Sequence, residues 1–254
     1  MSHPAQAIVS APRPGRRAAH AGRRRSVRIG ARLRRRSEAA TGVGKSLAYL
    51  IPAATFAIEH KRKAIICTHT INLQEQLVHK DIPIVKKLVG DFHAELLKGR
   101  NNYLCPTRLK SAFSQTGDLF SSSEAAELQL IEEWHRENPT ATLSEMDFTP
   151  GARLWSMVRS EPHACTPRRC PPGSGCVYQD VRRRMAAADV LVLNHTLFFT
   201  LLASAEETLA EDANFIFPRD FVVLDEAHTI ENIAAQAFGI HISESNIRFE
   251  LGRL

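Results

Sequence analysis

No run of eighteen apolar residues occurs anywhere in the 254-residue chain, so a membrane-spanning helix, which needs about 20 such residues, is excluded from the reading. The arginines near the N-terminus are followed by no apolar segment, so no secretory leader is expected and the cytoplasm is the expected compartment. None of the five cysteines forms a C-x₂-C pair, the knuckle from which zinc ribbons are built. Without a secretion signal, five cysteines argue against a disulfide framework and for metal or cluster ligation. The first 37 residues contain no acid and no lysine, yet they hold eleven arginines. The rest of the chain has 22 basic and 27 acidic residues, a balance of −5, so the formal charge of +6 belongs to the head alone. Such a head can be a nucleic-acid arm, but the net charge of the whole chain is no argument for one. No internal repeat is visible.

Residues 1–37 are dominated by Arg, Ala, Ser, Pro and Gly, a composition that buries too little apolar surface to offset its ordering entropy and predicts disorder. From Glu38 onward, strand-like and helix-like stretches alternate, the pattern of an α/β sheet. Residues 45–60 predict a helix bent or broken near Pro52, 64–68 a buried parallel strand, 71–82 a helix and 93–99 a further strand. "SSSEAAELQLIEEWHRE" (121–137) opens with serine caps and glutamates and continues at helical spacing. Residues 138–176, richer in Pro, Gly and Cys, read as an insertion. "DVLVLNH" (189–195) and "FVVLDEAH" (221–228) are apolar runs that end in polar residues, as central parallel strands do when they deliver functional groups to one edge of a sheet.

The segment "ATGVGKS" (40–46) predicts a phosphate loop. Gly42 and Gly44 permit the turn, and with Thr41 and Val43 they bring backbone N–H groups to a nucleotide's phosphates. Lys45 reaches the β and γ phosphates, and the Ser46 hydroxyl ligates Mg²⁺. The common pattern asks for glycine at position 39, where this chain has Ala39. In "FVVLDEAH", Asp225 follows four apolar residues and is the candidate holder of the Mg²⁺ shell, while Glu226 is the candidate to orient or deprotonate the attacking water. A short D-E-A-H string alone says little; after an apolar strand and downstream of a phosphate loop it says much more.

Between these motifs lie Cys105, Cys165, Cys170 and Cys176, separated by 60, 5 and 6 positions. Four thiolates suit an iron–sulfur cluster, whose size tolerates wide spacing; zinc, and cysteines that ligate nothing, stay open at this point. Cys67, at the end of an apolar strand, reads as a small buried residue.

"KGRNNYLC" (98–105), the cysteines after it, "ADVLVLNHTLFF" (188–199) and "LDEAH" together resemble the iron–sulfur helicases of the DinG and XPD type within superfamily 2, and bacterial DinG most of all. The likeness covers about residues 38–254. It implies an α/β fold in which a RecA-like P-loop parallel sheet, the first motor domain and incomplete here, carries an inserted, mostly helical iron–sulfur domain. The implied boundaries are 38–104 and 181–230 for the motor domain, 105–180 for the cluster insertion and 231–254 for the start of an arch domain. The resemblance further implies an ATP-dependent 5′-to-3′ DNA helicase of the repair class, using ATP, Mg²⁺ and a [4Fe–4S] cluster held by Cys105, Cys165, Cys170 and Cys176. Its partners would be single-stranded DNA and forked or structured duplex, with no membrane and a monomeric state. Thr70 and Gln74, in "CTHTINLQEQL" (67–77), would meet the DNA backbone, and His228 would couple the nucleotide site to the motor. Arg100, Arg168 and Arg169 are further candidates for tracking phosphates.

One part of the pattern is broken. A phosphate loop hangs from a buried apolar strand, but here it follows "RIGARLRRRS" (28–37). Burying adjacent arginines without partners costs several kcal/mol each, so a central strand there is expected to be missing or badly formed, and the head is expected to be foreign to the fold, joined near Glu38 by a frame shift. The second motor domain and its arginine finger are not recognisable in the sequence. The chain alone is therefore expected to hydrolyse ATP feebly and not to unwind DNA. The competing reading is a cluster- or zinc-containing DNA-binding module with a vestigial loop; a third is a phosphate-loop ATPase that acts on protein partners.

Overall fold

The computed structural model describes residues 5–12, 32–39, 44–114, 121–139, 142–162, 164–207 and 221–238. In chain order the elements are β1 (Ala5–Pro12), β2 (Arg32–Ala39), α1 (Lys45–His60), β3 (Ala64–Thr68), α2 (Ile71–Gln76), a π-helical turn (Leu77–Asp81), α3 (Ile82–Val89) and β4 (Ala94–Leu96). There follow α4 (Pro106–Ser114), α5 (Ser122–Glu137), α6 (Ala152–Val158), α7 (Val177–Ala187), β5 (Val190–Asn194), α8 (His195–Glu207), β6 (Phe221–Leu224) and α9 (Ile230–Phe238). The chain divides into two compact units, one made of Met1–Ala94 with Asp189–Leu254 and the other of Glu95–Ala188. Among the described residues no helix is long and apolar enough to cross a membrane.

The first unit is α/β, the arrangement of an incomplete RecA-like domain. Its strands are ordered β2-β1-β6-β3-β5, and β3 pairs in parallel with both β5 and β6. All five residues of β3 are buried, as a strand covered on both faces requires, and each buried isoleucine there contributes roughly 2 kcal/mol of transfer free energy. The registers Thr68↔Asn194 and Cys67↔Leu224 align the C-terminal ends of the three strands. The residues that follow each strand therefore emerge along one edge of the sheet.

Two local findings differ from the sequence reading. Helix α1 runs unbroken through Pro52; Pro52 and Ala48, whose carbonyl the proline cannot serve, are both exposed, so water can take that carbonyl. Within residues 1–37, where composition predicts disorder, Ala5–Pro12 and Arg32–Ala39 form strands, β1 pairing antiparallel with both β2 and β6. The strand that precedes the phosphate loop is thus outermost in this order, two strands from β6. Main-chain hydrogen bonds are what a sheet edge needs, and an arginine-rich run is compatible with an edge strand where it is not with a central one.

The second unit is mostly helical. Helices α4, α5 and α6 enclose a core of Leu104, Leu109, Leu128, Ile131, Leu154 and Trp155. Helix α5 opens on the expected capping box, the Ser121 hydroxyl receiving Glu124 N–H and the Glu124 carboxylate receiving Ser121 N–H. The unit extends beyond the predicted 105–180 insertion, because Leu97, Lys98 and Tyr103 before it and Met185 and Ala188 after it are themselves buried.

Candidate nucleotide site and thiol cluster

Thr41, Gly42 and Val43, the first half of the predicted phosphate loop, lie outside the described residues. Gly44 caps α1 at φ 78° and ψ 27°, in the left-handed region where glycine carries no steric penalty. Lys45 follows it, and its Nζ donates to Oε1 of Glu226 at 3.3 Å. Asp225 stands just past the tip of β6, its N–H bonded to the Cys67 carbonyl at 2.8 Å, which continues the ladder by one residue. Oδ2 of Asp225 accepts the Tyr49 phenol at 2.9 Å, and Oδ1 accepts Glu226 N–H at 3.0 Å. The lysine and both carboxylates therefore share one site, assembled from the start of α1 and the end of β6.

The electrostatics follow from the burial. Asp225 is only 8% exposed, and desolvation pushes its carboxyl above the ordinary carboxylate range, against the pull of the Tyr49 phenol, the Glu226 N–H and the Lys45 charge. Desolvation likewise drives the Tyr49 phenol far above its usual value, with the Asp225 charge adding to the rise. Tyr49 is therefore a donor at any physiological pH.

Glu226 has φ 52° and ψ 43°, a left-handed conformation unusual for a side chain of this size. Its carbonyl accepts both the N–H and the hydroxyl of Thr229, each at 3.1 Å. The Thr229 hydroxyl oxygen in turn pairs with Nδ1 of His195 at 3.1 Å. With the hydroxyl hydrogen committed to Glu226, Nδ1 is the donor in that pair. His195 is fully buried, and desolvation brings its pKa down to about 4, so the ring is neutral. The exposed His228 places Nδ1 3.5 Å from Oε2 of Glu226.

Of the two residues expected to meet DNA, Thr70 is exposed and uses its hydroxyl to cap α2, accepting Leu73 N–H at 3.3 Å. Gln74 is fully buried, on the inner side of that helix, where it cannot reach a polymer outside. Cys67 is fully buried as predicted, and burial raises its thiol pKa well above the usual value.

In the second unit Cys105, Cys165, Cys170 and Cys176 form one buried cluster, and none is in a disulfide. The sulfurs of Cys165, Cys170 and Cys176 lie within 4.8 Å of one another, with Cys105 against Cys165. Hydrogen bonds from the Cys105 and Cys176 thiols lower the pKa of Cys165 and raise their own. These bonds favour the thiolate at Cys165, and further ionisation within the cluster calls for a cation. Cys176 is the N-cap residue of α7, and the Cys105 carbonyl opens α4 by accepting Leu109 N–H, so two of the four cysteines stand at helix N-termini. An all-thiol, desolvated donor set of this kind fits a thiophilic centre, zinc or iron–sulfur.

Sequence reasoning placed Arg100 among the exposed phosphate trackers. Instead its Nη1 donates to the Cys165 carbonyl at 2.9 Å, and its guanidinium lies 4.1 Å over the Tyr178 ring. Arg168 and Arg169 are exposed. Tyr49 and Thr229 were missed altogether. Tyr49 stands four residues after Lys45, one helical turn on, a spacing that could have drawn attention to it.

Residues 170–247 match the DEAD_2 family. The ATP-dependent DNA helicase YoaA of Haemophilus influenzae is 36% identical over 204 residues, 80% of this chain and 31% of the relative. The ATP-dependent DNA helicase DinG of Escherichia coli is 30% identical over 215 residues, 79% of this chain and 29% of the relative. A Bacillus subtilis protein named 3'-5' exonuclease DinG is 29% identical over 219 residues, 85% of this chain and 22% of the relative. The chain thus spans less than a third of the length of each.

Proposed function

As a member of the DinG-type helicase family, this chain builds, we propose, the nucleotide-binding half of the motor of an ATP-dependent DNA helicase, moving 5′ to 3′ on single-stranded and forked DNA, in the cytoplasm and in the service of repair. The observation that carries this reading is the convergence of Lys45, Asp225 and Glu226 on one site.

Lys45 would take the β and γ phosphates of ATP, exchanging one carboxylate partner for a more highly charged phosphate. Ser46 and Asp225 would hold Mg²⁺, which would neutralise charge that develops in phosphoryl transfer. Glu226, freed from Lys45, would accept the proton of the water that attacks the γ-phosphorus. His228, within 3.5 Å of Glu226 and 42% exposed at its side chain, would couple the nucleotide site to the rest of the motor.

The four thiols of the second unit would hold a [4Fe–4S] cluster as a resident centre. Supporting this over zinc are the family resemblance and the absence of any C-x₂-C pair. Gln179 and Arg100 fix the loop that carries Cys165 by donating to its carbonyl at 2.6 and 2.9 Å.

Two measurements test the proposal. ATP hydrolysis by the purified chain, with and without single-stranded DNA, should be slow but raised by DNA; hydrolysis that ignores DNA would contradict the helicase reading. Protein purified without oxygen should be brown and carry about four irons per chain, whereas a colourless product with one zinc would replace the cluster by a zinc centre.

A further inference from the structure

We propose that Tyr49 is the positioning residue of the magnesium site, its hydroxyl fixing Asp225. The inference rests on the reading of Asp225 and Ser46 given above.

Tyr49 lies on α1 three residues after Ser46 and four after Lys45, on the face that meets the β6 tip. Its ring is buried, 4% exposed, so the phenol is held rather than swinging in solvent. The hydroxyl donates to Oδ2 of Asp225 at 2.9 Å across 176 residues of chain. On the far oxygen of Asp225, Glu226 N–H closes the arrangement at 3.0 Å. Each carboxylate oxygen has two lone pairs, so one donor per oxygen leaves a lone pair on each for a cation while fixing the plane of the group.

Among the described residues the phenol is the side-chain donor at Oδ2, so its loss would free that plane to turn. The bond further ties the helix carrying the phosphate-binding lysine to the strand carrying the acid, and so sets the spacing between the two halves of the site.

Tyr49→Phe removes one oxygen and keeps the buried ring. A fluorescent ATP analogue titrated into the chain, with excess Mg²⁺ and with chelator, separates the metal-dependent gain in affinity from binding through phosphate alone. The expected result for Tyr49→Phe is unchanged affinity in chelator and a Mg²⁺-dependent gain reduced roughly three- to tenfold, the size of a lost hydrogen bond to a charged group. An unchanged or larger gain overturns the proposal, and so does an equal loss in both conditions, which would mark Tyr49 as a packing residue only. Asp225→Asn is the companion variant. If it keeps the full gain, the assignment of Asp225 to the metal fails; if it loses the gain while Tyr49→Phe does not, only the present inference fails. A wild-type chain indifferent to Mg²⁺ overturns both.

Discussion

The ammonium of Lys45 lies 3.3 Å from Oε1 of Glu226, although 181 positions separate the two residues along the chain. Their side chains are 16% and 22% exposed, so the pair is shielded from water on most sides. On the proposed reading this pair is a resting arrangement: phosphate would compete for the cation, and its arrival would release the acid.

This separation of roles can be measured with Glu226→Gln. The amide keeps the shape of the side chain and can still accept from Lys45 through its oxygen, but it takes no proton from water. ATP affinity should stay within about threefold of wild type, while single-turnover hydrolysis falls by roughly 10²-fold or more, the usual contribution of a general base. Equal loss of affinity and rate would make Glu226 a binding residue instead.

His195 gives the first unit a specific sensitivity to acid. The unfolded ring has a pKa of about 6.5, while burial in the fold brings it down to about 4. Between those values the unfolded chain binds a proton that the folded chain does not. The stability due to the neutral ring is therefore complete above pH 6.5 and is lost progressively as the pH falls towards 4. At pH 5 wild type should have lost about 2 kcal/mol relative to pH 7.5 through this group. His195→Gln has no such proton and should show a correspondingly flatter acid limb in urea unfolding; identical limbs would contradict the assignment.

Lys98 is 2% exposed and its Nζ donates to Thr142 at 2.6 Å and Ser144 at 2.8 Å, with the Glu145 carboxylate at 3.5 Å. Lys98→Met should lower the unfolding free energy of the second unit by about 2–4 kcal/mol, since it removes the charge and leaves its partners unserved. Denaturant unfolding followed by Trp fluorescence checks this, because Trp155 is in that unit's core. A loss below about 0.5 kcal/mol, the range of ordinary surface changes, would show that the network contributes little.

Much of this was legible in the sequence. The apolar runs at 64–68, 189–195 and 221–228 became β3, β5 and β6 because a strand buried on both faces must be apolar along its whole length, and the polar residue that ends each run marks the sheet edge. The capping box at Ser121 was readable because it depends on two residues three apart. What could not be read depends on tertiary packing. The π-helical turn at Leu77–Asp81 has the same apolar spacing as an α-helix. Arg100 and Lys98 look like surface charges until a fold puts carbonyls and hydroxyls around them. Glu226 gives no sign of its left-handed backbone, since the bonds that hold it come from Thr229 and, behind it, His195. The strand pairing of Ala5–Pro12 and Arg32–Ala39 was hidden because composition counts side-chain burial, whereas strands are joined through their main chains.

The central claim is that a lysine after a glycine bend and two acids at a strand tip make one magnesium–nucleotide site, and equilibrium binding of ATP to wild type and Lys45→Ala tests it most directly. The account predicts saturable, Mg²⁺-enhanced binding by wild type and a loss of roughly ten- to a hundredfold in the variant, as expected when a charged hydrogen bond to phosphate is removed. Equal affinity in the two proteins, or no measurable binding by wild type, would contradict it.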